Sequence, residues 1–136
     1  MKPIAFLGGT CNGSTWREKI IPLLKVDYFN PIVDTWDDEA QQREVYHREH
    51  DDILLYTLTP KMVGMYSVAE AMEDSNEKPS KVVICFLQED DGVKYTGHQW
   101  KSAKQTIKLF KQNGVAVFTS IEETAEYINT TWGSIE

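Results

Sequence analysis

The stretch MYSVAEAMEDSN (65–76) carries the carboxylate best placed by type and spacing to do chemistry, Glu70. Ser67-Val68-Ala69-Glu70 fits the capping box, in which a Glu three residues after a Ser folds back on the helix N-cap. Ser120-Ile121-Glu122-Glu123 fits the same pattern, so the pattern alone does not separate a cap from a functional acid. Location separates the two. Glu70 follows an apolar strand through a loop rich in Gly, Met and Tyr, near the expected middle of a sheet, whereas Glu123 lies beyond the last strand. A carboxylate at a helix N-terminus is favoured in its ionised form by the helix dipole and the free amide groups. An ionised carboxylate can act as a nucleophile, for instance at a sugar anomeric carbon, provided that a second group protonates what leaves. Asp52, at the start of the apolar strand, is a candidate for that second group, although it stands at the nominally wrong end of the strand.

Two loops hold further candidates. GGTCNGS (8–14) places Gly8, Gly9 and Gly13 after a first strand, where a ligand could approach the backbone; a tight turn with Ser14 as a helix cap is the alternative. It is neither the dinucleotide fingerprint nor a phosphate loop, since the required Lys is absent. In YFNPIVDTW (28–36), Asn30, Asp34 and Trp36 bring together an amide, a carboxylate and an indole that could hydrogen-bond to and stack on a nucleobase. An Asn-Pro turn with a half-buried Trp explains them equally well. His47 and His50 sit among acids without the spacing of a zinc signature, so no metal is expected.

These residues need elements to hold them. Strand-length apolar runs alternate with helix-length amphipathic segments along the chain, the pattern of a parallel sheet in an α/β fold. Strands are expected at 3–8, 27–33, 52–59, 81–87 and 115–119, and helices at 13–25, 37–50, within 65–76 with Ser67 as candidate cap, 98–114 and 120–132. Right-handed crossovers make this a doubly wound sheet with helices on both faces, and its ligand belongs outside the carboxyl ends of the strands. The candidate loops all follow strands.

The 136 residues are expected to form a single domain (1–136), with 41% hydrophobic and 26% charged residues. No apolar run reaches membrane-span length, and MKPIAFLGGT reads as a strand rather than a signal peptide. Two cysteines without metal spacing fit a reducing cytoplasm. A net charge of −7 with no basic block argues against nucleic acid as a partner.

FLGGTCNGSTWR, FNPIVDTW and DDILLYTLTPKMVGMYSVAEAMEDSN, followed by KVVICFL, resemble the nucleoside 2-deoxyribosyltransferase-like proteins. The resemblance implies a flavodoxin-like five-stranded parallel sheet in the order 2-1-3-4-5. It also implies cleavage of the N-glycosidic bond of a 2'-deoxynucleoside or nucleotide and transfer of the deoxyribosyl unit to another base, without a cofactor. Glu70 matches the family's nucleophile and Asp52 its acid at the head of the third strand. Gly8, Gly9, Thr10, Asn30, Asp34, Trp36, Tyr66 and Ser67 become expected substrate contacts. Thr96 and His98 match the segment that completes a neighbouring subunit's site, which implies a homo-oligomer with shared sites. Two positions depart from the family: Gly64 stands where a second Asp is usual, and Ala5 replaces a first-strand Tyr, for which Tyr66 could compensate. These departures keep two alternatives open, an N-glycoside hydrolase and a non-catalytic nucleotide or ribosyl-signal binder.

Overall fold

The computed structural model describes residues 2–11 and 13–133. Five strands, β1 (Ile4–Gly9), β2 (Asp27–Phe29), β3 (Ile53–Leu58), β4 (Val82–Phe86) and β7 (Ala116–Phe118), form one parallel sheet in the order β2-β1-β3-β4-β7. That is the expected flavodoxin-like order. The last strand is the seventh along the chain because an antiparallel ribbon, β5 (Glu89–Asp90) and β6 (Val93–Lys94), interrupts the segment expected to be a plain loop. Its turn is Asp91-Gly92, with both φ angles positive (49° and 85°), the tight-hairpin geometry that Asp-Gly favours.

β3 is the centre of the sheet, and all six of its residues are buried. Its alternate side chains divide between two cores, as period-two geometry requires. Ile53 and Leu55 join Ala5, Leu7, Trp16 and Ile128 on one face. Leu54, Tyr56 and Leu58 join Phe6, Ala71, Ala103 and Phe110 on the other. The first face is covered by α1 (Trp16–Ile20) and α5 (Ile121–Trp132), the second by α3 (Tyr66–Glu77) and α4 (Gly97–Gln112), with α2 (Asp38–His50) beside α3. Among the described residues, no helix is long and apolar enough to cross a membrane.

Three boundaries differ from the sequence expectation. The first helix is only five residues, continued by a 3-10 turn at Ile21–Leu23 that accommodates Pro22 near its start. β2 ends at Phe29, before Asn30-Pro31, where the proline has no N–H for the ladder and the Asn30 Oδ1 accepts the Ile32 N–H instead. The third correction bears on the site. α3 begins at Tyr66 with Met65 as its N-cap, so Ser67 lies inside the first turn and caps nothing. By contrast Asp37, Thr96 and Ser120 are true side-chain caps of α2, α4 and α5.

Candidate active site

Glu70 falls in the second turn of α3, with its side chain 11% exposed, on the face turned toward α2. The dipole argument for an ionised Glu at the helix end therefore does not hold, since that field fades beyond the first turn. Loss of hydration and then the nearby charge of Glu44 push the Glu70 carboxyl up to about 7, against a smaller opposing pull from Arg48. Glu44, on α2, is also raised, chiefly by burial. Two carboxyls that disfavour each other's charge thus share one water-poor space.

Arg48, one helical turn after Glu44, is the cation of this space that reaches Glu70. Its Nη1 lies 3.5 Å from Glu70 Oε2, and its Nη2 donates to Glu73 Oε1 at 2.8 Å. Its Nε and Nη2 fork onto the two oxygens of Asp74 at 2.9 and 3.1 Å. Asp74 is 2% exposed and also accepts from the hydroxyl of the fully buried Tyr56.

A cavity of about 360 Å³ lies outside the carboxyl end of β1, where a doubly wound sheet holds its ligand. Phe6, Gly8 and Gly9 line it from β1, Arg17 and Cys11 from the loop and helix that follow, Pro31 to Val33 and Trp36 from the loop after β2, and Glu44, Ser67 and Glu70 from the helices. An adjoining hollow of about 210 Å³ shares Trp36, Glu44 and Glu70 and adds Arg48, Tyr66 and Glu73. Trp36 is 54% exposed and lines both, so its ring is available to a flat ligand. Both volumes lie near the small-ligand range.

The structure thus brings together Gly8, Gly9, Trp36, Tyr66, Ser67 and Glu70. It does not bring Asp52 to them. Asp52 precedes β3 at the amino edge of the sheet, where its carboxylate accepts the Ile4 N–H at 2.9 Å, a full strand length from Glu70's end. Thr10 is buried, its hydroxyl accepting the Thr59 N–H and its carbonyl accepting from Trp16 and Arg17, so its side chain ties loops together rather than facing the cavity. Asn30 is engaged in its Asx turn, and neither it nor the exposed Asp34 lines the cavity. Thr96 caps α4 through a full capping box with Gln99, and His98 lines a separate shallow hollow on α4. The glycines serve packing first. A Cβ on Gly8 would collide with Phe6 and Tyr56 at 2.8–2.9 Å, and one on Gly9, whose φ is +115°, would lie 2.2 Å from the Thr57 carbonyl oxygen.

Glu44, Arg48 and Arg17 are the cavity residues that motif reasoning passes over. A helix-phase signal for the first two was present. Ala40, Glu44, His47, Arg48 and Asp51 recur at helical spacing and are the buried or half-buried positions of α2 and its C-cap, so this helix turns a charged face inward. Arg17 is buried and committed to the protein: its guanidinium donates to the Leu7 carbonyl at 3.0 and 2.9 Å and to the Thr10 carbonyl at 2.7 Å. Among the described residues, Glu73, Asp74 and Glu77 can bring carboxylate oxygens within 4.8 Å of one another, a possible cation site. Arg48 already occupies Glu73 and Asp74.

The chain is an α/β protein, a five-stranded parallel sheet with an acidic, aromatic-rimmed cleft at the carboxyl end of its strands. The sequence pattern of the family described as nucleoside 2-deoxyribosyltransferase like matches residues 2–89, a span that contains every cavity residue named above, and the chain belongs to that family. No curated protein matches the sequence.

Proposed function

We propose that the chain cleaves the N-glycosidic bond of a 2'-deoxynucleoside and passes the deoxyribosyl unit to a second base. The observation that carries this reading is that Glu70 and Glu44 line one cavity together with Trp36, inside the family-matched span. Glu70, once ionised, attacks C1' as the C1'–N bond breaks; the departing base takes its proton from Glu44. The incoming base then attacks C1', Glu70 is released, and Glu44 recovers a proton. With water as acceptor the products are free base and deoxyribose. Glu44 replaces Asp52 in this scheme because it shares the cavity with the nucleophile. Burial and the Glu44 charge place the proton that the two carboxyls share on Glu70, so the scheme requires that proton to pass to Glu44 when substrate binds, leaving Glu70 ionised for attack.

The charges around the cavity support a nucleoside over its 5'-phosphate. Arg17 is held by backbone carbonyls and Arg48 by three carboxylates, and Lys61 donates to the Gly13 carbonyl and Asp91 on the hairpin side. Among the described residues, Lys78 is the cation of the two hollows that no carboxylate holds, donating only to the Arg48 carbonyl at 3.5 Å, and a phosphate dianion would otherwise face Glu44, Glu70 and Glu73. Thr96 and His98 lie outside this chain's own cleft, so any substrate contact by them belongs to a second copy, and sedimentation should then report an oligomer.

Incubation with a deoxynucleoside and a different free base, followed by chromatography, tests the proposal. Exchanged nucleoside is expected. Free base alone selects the hydrolase, and calorimetric binding of intact nucleoside with no turnover over hours selects the binder.

A further inference from the structure

We propose that Arg48 is a positioning residue for Glu70, held in place from the core by Asp74 and Tyr56. The inference deepens the proposed function, because it assigns the control of the acid that function places at C1'. The contacts form a chain across three elements. Tyr56, fully buried on β3, donates to Asp74 on α3; Asp74 accepts the Nε and Nη2 edge of Arg48 from α2; the remaining Nη1 lies 3.5 Å from Glu70 Oε2. Nη2 also reaches the Glu70 backbone carbonyl at 3.4 Å, and the Lys78 ammonium donates to the Arg48 carbonyl at 3.5 Å. With one edge of the planar fork fixed by a buried carboxylate, the direction of the other is set.

The surroundings give that direction its effect. Glu44 from α2 and Glu73 and Asp74 from α3 disfavour a charge on Glu70, while Cys11 and Arg17 line the same cavity from the β1 side and Tyr66 opens α3. Among the described residues, Arg48 is the one cation within ion-pair distance of Glu70. Withdrawing it leaves Glu70 among like charges, and its ionised fraction at neutral pH falls. A lysine would keep the charge but not the fork, because an ammonium cannot hold Asp74 along one edge and point a second group at Glu70.

Carbon-13 NMR titration of the Glu70 side-chain carboxyl in the full chain reads this without substrate. Arg48→Lys, which preserves charge and is the variant best suited to fold, is compared with Arg48→Gln, each with circular dichroism to confirm folding. The midpoint of Glu70 is expected to rise by about 0.5 pH units or more in Arg48→Lys and by more in Arg48→Gln, where about a tenfold loss of the ionised form corresponds to one pH unit. With substrate, kcat at pH 6 should fall in both while KM stays near the wild-type value, and raising the pH should restore rate. An unmoved midpoint in folded Arg48→Lys would overturn the positioning role even if the enzyme turns over. A raised midpoint in a chain that never turns over would sustain it while the proposed reaction fails.

Discussion

Ser67–Glu70 and Ser120–Glu123 have the same spacing and different structures. At the start of α5, Ser120 has an extended backbone (φ −138°, ψ 152°), its Oγ accepts the Glu123 N–H at 3.2 Å, and it donates to Glu123 Oε1 at 2.9 Å. At the start of α3 the chain is already helical by Met65, whose carbonyl accepts the Val68 and Ala69 N–H groups. Ser67 instead donates its hydroxyl to the Gly9 carbonyl at 3.3 Å, linking α3 to the end of β1. Glu70, with no cap to fold back on, is left to the interior. The pattern caps a helix only where the backbone at the Ser is extended, and the loop arriving from β3 does not deliver that conformation.

The largest contrast concerns activity. Glu70→Gln should lower the glycosyl-transfer rate by on the order of 10³-fold or more, the loss expected for a group in contact with the reacting atoms. Glu123→Gln should leave it within about twofold, because Glu123 lies at a solvent-facing helix end. Steady-state rates of both variants on one deoxynucleoside would break the comparison if they fell alike.

The next effect is in stability and belongs to the Glu70 site. The Glu70 carboxyl rises from 4.5 to about 7 on folding, so between these values the folded chain binds more protons than the unfolded one. Stability contributed at this site is present at low pH, falls as the pH rises through that window, and levels off above about 7. At pH 8 the buried charge costs up to ~3 kcal/mol, and Glu70→Gln should recover ~1–3 kcal/mol and flatten the slope. Urea denaturation at pH 5 and pH 8 provides the measurement; a variant less stable than wild type at pH 8 would show that the Arg48 contact outweighs desolvation.

How much of this was visible in the sequence follows from the same pair of sites. The parallel doubly wound sheet, the burial of β3 and the placement of Glu70 at a carboxyl-end cleft rest on hydrophobic periodicity and connection rules, which one sequence carries well, whereas the strand order came with the family resemblance. What it carried poorly depends on side chains meeting across elements. Asp52 and Glu70 are 18 positions apart and on opposite ends of a strand, while Glu44 and Glu70 are 26 apart and share a cavity. Thr96 matches a family position, yet here its hydroxyl is engaged in a capping box that Thr96-Gly97-His98-Gln99 spells out. The charged inward face of α2 was legible as a helical phase, but a phase states only that residues share a face. That the face turns inward became clear only with α3 opposite it.

The smallest contrast isolates the two serines. Ser120→Ala removes a side-chain acceptor that an N-terminal amide of α5 otherwise lacks, and should cost about 1 kcal/mol. Ser67→Ala removes a 3.3 Å donor to the Gly9 carbonyl, and the Val68 and Ala69 amides keep Met65 as their acceptor, so the loss should be only a few tenths of a kcal/mol. The same change should act instead on the cavity, since Ser67 lines it beside Glu70 and holds α3 against the end of β1. A raised KM with nearly unaltered stability is therefore expected for Ser67→Ala, and lowered stability with an unaltered KM for Ser120→Ala. Equal stability losses in urea would mean that Ser67 acts as a cap after all, in a helix that starts two residues later in solution.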